Sequence, residues 1–304
     1  MNNQEVIPPE YRVDMIRLQS RIYKQKVESH LTRLDSELNA EYWENYKVGG
    51  YRHNWRIRDI NAEGEECSFY VACQNNSEQI TSHKTNVVLE YNPTTCNGSK
   101  LLDQLLHLFS MTVPTVKSID VAVDFHKVNI DWLTIVKGNK RKKITLDHGG
   151  DDKTYYVGAE GSHLRVKIYN KAKERRKKKK GYQVPYDDWT RYEITLKLDL
   201  KVEDIEKFDL KKEIPNLVYI SPRNIEKLSD TDIFILRAIK NNFGSINDLG
   251  RRKKEKLRKY VQDENRKLIK PILIEDTIKT FVSDLCNDYY FLDEKYYNSA
   301  HYQK

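Results

Sequence analysis

Three segments of the chain alternate between apolar and polar residues with a period of two, which limits them to β-strands with two unlike faces. They are IDVAVDF, RVKIYNK and RYEITLK, and VVLEYN repeats the pattern. Successive side chains on a strand point to opposite faces, so each strand has one apolar face for a core and one polar face. The polar faces hold Asp120, Asp124, Arg165, Lys167, Tyr169, Lys171, Arg191, Glu193 and Glu90. We expect a sheet with one polar, active face and with helices on the other.

The order of the predicted elements indicates the fold class. We predict a strand over residues 11–18, a helix over 20–39, and strands near 51–58, 67–73 and 86–92. There follow a helix in NGSKLLDQLLHLFSM, a strand in SIDVAVDF, a short helix in IDWLTIVKG, and strands in KKITLD, KTYYVG, HLRVKIYN and WTRYEITLKL. The order of strand, helix and three strands thus occurs twice, which suggests a duplicated unit. Many strands with few helices predict the α+β class with a largely antiparallel sheet.

The chain changes from strands to helices after residue 200. KLSDTDIFILRAIKNNFGSINDLGRRKKEKLRKYVQDENRKLIK has the pattern of two helices joined through a Gly-Ser turn, which is compatible with a helix-turn-helix. Ten of the residues between 251 and 270 are Lys or Arg. We therefore predict a boundary near residue 201, with an α+β domain over 1–200 and a helical, basic region over 201–304.

The charge balance favours a polyanionic partner. Lys and Arg number 53 against 45 Asp and Glu, which gives a net charge of +8. The excess is clustered, since KAKERRKKKK holds eight basic residues in ten, and nucleic acid is the leading candidate partner. No apolar run approaches the roughly 20 residues of a spanning helix. With four scattered cysteines and no secretory signal, we expect a cytoplasmic protein with reduced thiols and no membrane partner.

The carboxylates on the polar faces are candidate metal ligands. Aspartate is a poor strand former, yet Asp120 and Asp124 lie within a strongly β-prone segment. Carboxylates grouped on one face suit a hard divalent cation such as Mg²⁺ or Mn²⁺. The two aspartates lie about 13 Å apart on an ideal strand, so we expect one ion to take one of them together with Glu193 or Glu90.

Tyr169 is the candidate nucleophile. A tyrosine hydroxyl has a pKa of about 10 and is a poor nucleophile when protonated. Cations at Arg165, Lys167 and Lys171 would favour the phenolate, and a metal ion would polarise a phosphodiester. Attack by tyrosine exchanges one phosphate ester for another and so allows a broken strand to be resealed. Equally, a tyrosine on a cationic strand can simply stack, and a basic loop can simply grip phosphates.

Candidate DNA contacts lie in two basic segments. They are Lys173, Arg175, Arg176, Lys177, Lys178 and Arg191 near the predicted site, and Arg251, Arg252, Lys253, Lys254, Lys256, Arg258 and Lys259 in the last predicted helix.

Three ordered motifs resemble a known family. DVAVDF, TYYVGAEGSHLRVKIYNKAKE and WTRYEITLK are similar to the core of the plasmid rolling-circle replication initiators of the staphylococcal pT181 type, a group that also resembles relaxases of some integrative elements. The resemblance spans roughly residues 85–290. The KKKK segment before Gly181 lengthens one loop relative to the family pattern.

The resemblance implies a site-specific nicking and joining enzyme. Tyr169 would nick one strand at a double-strand origin and become linked to the 5′ end, while Asp120 or Asp124 with Glu193 would bind Mg²⁺ or Mn²⁺. Such proteins act as homodimers, recognise the origin through the C-terminal basic region and hand the nicked DNA to a host helicase. A conjugative relaxase with the same chemistry, or a non-catalytic sequence-specific DNA-binding regulator, remains as an alternative.

Overall fold

The structure, a computed structural model, has strands and helices throughout the residues it describes. These are residues 7–23, 26–27, 29, 41–42, 51, 53–73, 84–130, 133–136, 144–149, 152–159, 161–178, 181, 183–210, 214–219, 227–240, 248–262 and 268–289. The strands are β1 (Glu10–Tyr23), β2 (Glu41–Tyr42), β3 (His53–Ile60), β4 (Glu66–Cys73), β5 (Lys84–Tyr91), β6 (Thr115–His126), β7 (Leu133–Val136), β8 (Ile144–Gly149), β9 (Asp152–Val157), β10 (Leu164–Asn170), β11 (Trp189–Lys201) and β12 (Asn216–Tyr219). The helices are α1 (Lys100–Ser110), α2 (Lys171–Lys178), α3 (Asp230–Lys240), α4 (Arg251–Gln262) and α5 (Pro271–Tyr289). A 3₁₀ helix covers Val202–Lys207.

The chain forms two compact units. The central unit comprises Met1–Tyr11, Ala122–Ile194 and Leu210–Leu273. The amino-terminal unit comprises Arg12–Val121, Thr195–Asp209 and Ile274–Lys304. The predicted α+β class is confirmed, because antiparallel sheets occur together with helices in the described chain. The predicted division of roles at residue 201 stays a prediction.

Both units use the same strand order. In the amino-terminal unit the sheet runs β2, β3, β4, β5, β1. In the central unit it runs β8, β9, β10, β11, β6, where β11 contributes its residues up to Ile194 and β6 those from Ala122 onward. In each sheet the strand that comes first in the chain, β1 or β6, lies beside the strand that comes last, β5 or β11. Strands that follow one another in the chain, such as β3 and β4 or β8 and β9, pair antiparallel. This shared order agrees with the duplication that the sequence suggests. It makes β4 the counterpart of β10, and β5 the counterpart of β11.

Two local predictions are wrong. The short helix predicted in IDWLTIVKG is strand β7, which pairs antiparallel with β12, because the Thr-Ile-Val run favours extended backbone. The helix predicted from residue 20 starts too early, since β1 continues to Tyr23 and buries Leu18, Ser20 and Ile22 by alternation. Most of that helix lies outside the described residues. Strand β12 was not predicted.

A glycine fixes the hairpin that carries the candidate nucleophile. Gly158 follows β9 with φ 101°, and a Cβ there would lie 2.8 Å from the carbonyl oxygen of Leu164. Only glycine tolerates both conditions. Strand β10 then pairs with β9 so that Tyr169 lies opposite Thr154. The alternate residues Val166 and Ile168 are buried; on the opposite face Arg165 and Lys167 are half-buried, whereas Tyr169 is only 7% exposed.

The carboxyl-terminal helices of the central unit pack on a small apolar cluster. Leu228, Leu236 and Leu257 bring α3 and α4 together. Asp232 accepts hydrogen bonds from Lys256 Nζ and Ser229 Oγ and forms an ion pair with Lys253. The turn of the predicted helix-turn-helix lies outside the described residues. No helix in the described ranges combines the length and apolar character that spanning a bilayer requires.

Candidate active site

The hydroxyl of Tyr169 lies between a carboxylate and an ammonium group. Tyr169 Oη donates a hydrogen bond to Glu193 Oε2 at 3.1 Å and accepts one from Lys171 Nζ at 3.5 Å. Strand alternation places Tyr169 and Glu193 on polar faces of β10 and β11, which are neighbours in the sheet. The geometry thus brings the predicted nucleophile Tyr169 and the predicted cation Lys171 together with Glu193, which was predicted as a metal ligand. The roles of these three residues stay predictions.

Lys171 is held in place by Glu174. The Lys171 side chain is 8% exposed, and its Nζ lies 2.5 Å from Glu174 Oε2. Burial, together with the nearby Arg191 charge, lowers the pKa of Lys171 below its usual value. Burial opposes ionisation of Glu174, but hydrogen bonds from Lys171 and Lys178 outweigh it and lower the pKa of Glu174 to about 2. The helix that presents these groups is capped by Asn170, whose Oδ1 accepts from the Lys173 amide at 2.9 Å.

The two other predicted cations of β10 contact aromatic rings. Lys167 Nζ lies 4.3 Å from the centroid of the Tyr169 ring. The Arg165 guanidinium lies 4.7 Å from the ring centroid of Tyr156 on β9. Both distances fall within the range of a cation–π contact. Lys167 therefore touches the candidate nucleophile, whereas Arg165 supports the neighbouring strand.

Asp124 is fixed in a buried ion pair. Arg191 donates to Oδ1 and Oδ2 of Asp124 through Nε and Nη2, both at 2.8 Å. Trp189 Nε1 adds a third hydrogen bond at 2.8 Å. Asp124 is 0% exposed and Arg191 is 1% exposed. Neither side chain faces solvent, so we assign a structural role to both. This replaces the predicted roles of Asp124 as a metal ligand and of Arg191 as a DNA contact.

The remaining predicted metal ligands do not gather into a cage. Glu193 is half-buried beside Tyr169, whereas Asp120 and Glu90 belong to the amino-terminal unit, where Glu90 accepts a 2.6 Å hydrogen bond from Arg17 Nε. Within the described parts of the chain, no group of three His, Cys, Asp or Glu side chains is arranged to hold a metal ion. Mg²⁺ is often bound through one or two carboxylates plus substrate phosphates, and Glu193 suits that arrangement.

The predicted DNA contacts of the central unit lie mostly at its surface. Lys173, Arg176, Lys177, Lys178, Arg251, Arg252 and Lys256 are exposed, and Arg175, Lys253 and Lys254 are half-buried. Arg176 is paired with Asp187, and Lys256 with Asp232. The side chains of Arg258 and Lys259 lie outside the described part of α4.

Two residues of the site were not predicted. Glu174 follows Lys171 by three positions, the spacing at which helical side chains meet, so the KAKE segment carried a usable signal. No sequence signal indicated Trp189, because the contact of its indole with Asp124 depends on the pairing of strands that are distant in the chain.

Comparison with known proteins supports the resemblance seen in the motifs. Residues 114–214, which include Tyr169, Glu193 and Asp124, match the family described as replication initiation factor. This match confirms the resemblance to replication initiators over that segment. The chain is also similar to a solved rolling circle replication initiator protein from Geobacillus stearothermophilus, with 20% identity and a TM-score of 0.36, over 62% of this chain and 74% of that chain. No curated protein sequence matches the chain.

Proposed function

We propose that this chain, which matches the replication initiation factor family over residues 114–214, initiates rolling-circle replication of a plasmid by nicking and rejoining one DNA strand through Tyr169. The observation that supports this function is the position of the Tyr169 hydroxyl, hydrogen-bonded to Glu193 and beside the buried Lys171. A carboxylate base and a cation at one hydroxyl are what an oxygen nucleophile needs.

The chemical step is a transesterification. Tyr169 Oη attacks the phosphorus of the scissile phosphodiester, and the bond from phosphorus to the 3′ oxygen breaks. Glu193 Oε2 takes the phenol proton, and the leaving 3′ oxygen takes a proton from solvent. Lys171 stabilises the negative charge that develops on Oη. The 5′ phosphate remains linked to Tyr169, and reversal of the step reseals the strand.

We propose that the reaction uses Mg²⁺ or Mn²⁺. When bound, such an ion polarises the phosphate that is attacked. Oε1 of Glu193 would hold it together with phosphate oxygens, as Mg²⁺ sites built on one or two carboxylates do. Asp124 takes no part, because both of its oxygens accept hydrogen bonds from Arg191.

DNA would be held by the exposed basic residues around the site. Lys173, Lys177 and Lys178 lie on α2, which begins directly after the strand that carries Tyr169. The basic helix α4 would contact the origin. We further propose that the protein acts as a homodimer and transfers the nicked DNA to a host helicase.

A covalent-adduct assay tests this function. Purified protein is incubated with supercoiled plasmid carrying its own gene and flanking DNA, with Mg²⁺, Mn²⁺ or EDTA, and the products are denatured. We expect relaxed DNA attached to protein, formed only with metal. Tyr169→Phe removes the hydroxyl and should abolish the adduct, while Tyr186→Phe, a half-buried tyrosine beside His126, serves as the matched control.

The outcomes separate the alternatives. An adduct that persists in Tyr169→Phe would show that another nucleophile acts. Tight sequence-specific binding without any adduct would favour the regulator. If relaxation occurs at an origin of transfer rather than of replication, the protein is a conjugative relaxase.

A further inference from the structure

The amino-terminal unit carries a row of four polar side chains across its sheet. Arg56 on β3 lies directly opposite Tyr70 on β4. Tyr70 lies opposite Glu90 on β5, and Glu90 lies opposite Arg17 on β1. Directly opposed residues share one face of a sheet, with Cβ atoms about 4.5–5.5 Å apart. Four neighbouring strands therefore present Arg, Tyr, Glu and Arg in one continuous line.

This row lines a cavity. The cavity has a volume of about 360 Å³ and includes all four side chains of the row, with Asn54 and Ser68 beside them. That volume falls at the lower end of the range for small-ligand pockets, about 300–1,000 Å³. The Arg56 side chain is exposed and donates to Ser68 Oγ, and Arg17 is 42% exposed. Two partly exposed arginines therefore line the cavity.

The row corresponds to the candidate active site in strand order. Tyr70 lies on β4 and Glu90 on β5, the counterparts of the strands that carry Tyr169 and Glu193. The hydroxyl environment differs, because Tyr70 Oη donates to Asn54 Oδ1. Burial raises the pKa of Tyr70, with Glu90 also raising it against the opposing effect of Arg17. Glu90 is engaged by Arg17. Tyr70 therefore lacks both a free carboxylate partner and the tendency to ionise that nucleophilic attack requires.

We propose that this face of the amino-terminal unit, formed by Arg17, Arg56 and Tyr70, is a non-catalytic binding site for single-stranded DNA. The inference rests on the proposed action of the chain on DNA. Aromatic rings flanked by cations are the usual means of binding single strands, since bases stack on the ring and phosphates meet the cations. Duplex DNA presents phosphates but keeps its bases stacked on one another, so it cannot place a base in the cavity. The site would hold the strand that nicking exposes.

Binding in a cleavage-deficient background tests the inference. The full chain carrying Tyr169→Phe is titrated in EDTA against a fluorescent oligothymidylate of about 12 nucleotides, the length that one binding surface covers. Arg56→Gln removes an exposed charge of the row. Its matched control is Lys207→Gln, which removes a charge from an exposed residue of the same unit. We expect Arg56→Gln to weaken binding roughly fivefold and to reduce the salt slope by about 1, with a smaller effect for the control.

The ring is tested separately. Tyr70→Leu should weaken binding by at least about fivefold, as loss of one stacked base does. Tyr70→Phe keeps the ring and should restore affinity, which excludes a folding defect as the cause.

Three results would overturn the inference. They are equal losses in Arg56→Gln and Lys207→Gln, single-strand affinity unchanged in Tyr70→Leu, and a loss confined to duplex DNA of the same length. Failure of the proposed catalytic function shows itself elsewhere, as an adduct that forms without Tyr169 or does not form at all.

Discussion

The two units of the chain share a strand order but surround their tyrosines differently. In the central unit the Tyr169 hydroxyl meets Glu193 and a buried ammonium from Lys171. In the amino-terminal unit the Tyr70 hydroxyl meets the amide of Asn54. A tyrosine and a glutamate on neighbouring strands are therefore common to both. The difference lies in the groups around the pair, and under the proposed function those groups prepare the Tyr169 hydroxyl, and not that of Tyr70, for chemistry.

The carboxylate–arginine ion pairs of the two units also differ in their burial. Asp124 and Arg191 are almost completely buried, whereas Arg17 and Glu90 are 42% and 28% exposed. Burial makes the first pair structurally essential, because losing one partner leaves an uncompensated charge in the core. The second pair stays in contact with water, so losing one partner leaves a charge that solvent can compensate.

The largest expected effect tests this contrast in burial. Asp124→Asn should lower the free energy of unfolding by about 3–5 kcal/mol, since Arg191 is left charged and buried. Glu90→Gln, the matched change in the other unit, should cost only about 0.2–1 kcal/mol. Urea denaturation followed by circular dichroism measures both. Similar losses for the two variants would mean that burial does not distinguish the pairs.

The next expected effect concerns the Lys171 ammonium group, which lies beside the Tyr169 hydroxyl. Lys171→Met preserves the length and packing of the side chain but removes its charge from beside the hydroxyl. The rate of adduct formation at saturating DNA should fall roughly 10²-fold. This experiment asks whether the different hydroxyl environments explain the different roles that we propose for Tyr169 and Tyr70.

Lys173→Met is the control for the loss of charge. Lys173 is exposed on α2, so its loss should raise the DNA concentration needed for half-maximal rate rather than lower the maximal rate. If both variants change only that concentration, Lys171 binds DNA and does not stabilise the attacking oxygen.

Sequence alternation predicted which residues share a face, but it could not predict which residues of a polar face are buried. The faces of β6, β10 and β11 followed directly from the period of two, whereas the approach of Tyr169 to Glu193 depends on the pairing of β10 with β11. Alternation assigned Asp124 to the same polar set, yet that end of β6 is buried. The burial arises from Arg191 and Trp189, which come more than sixty positions later.

The row of the amino-terminal unit lay beyond sequence reasoning for a related reason. Its four members come from four strands, and each contact depends on the register between two of them. A slip of one residue would turn Tyr70 to the opposite face. The sequence indicated the strands and their duplication, but the register is set by the packing of the folded sheet.

The smallest expected effect is an acid sensitivity located in the central unit. The pKa of Glu174 is lowered to about 2 from an ordinary value of 4.5, because hydrogen bonds from Lys171 and Lys178 outweigh the effect of burial. Its contribution to stability is fully present above pH 4.5 and is lost as the pH falls toward 2, since the unfolded chain binds the proton more readily. Glu174→Gln should therefore lower the melting temperature at pH 7 and flatten its dependence on pH in that window.

Glu63→Gln, which changes an exposed glutamate of the amino-terminal unit, is the matched control. Its melting temperature should fall at acid pH as that of the unsubstituted protein does. Thermal melts at intervals between pH 2 and 7 give both curves. Because Glu174 positions Lys171, the two effects should also be linked, so that adduct formation by Glu174→Gln falls even at neutral pH, where the variant is folded. A variant with normal adduct formation but a flattened stability curve would separate the two roles: Glu174 would then stabilise the central unit without positioning the ammonium, and the contrast between the tyrosines would depend on Lys171 alone.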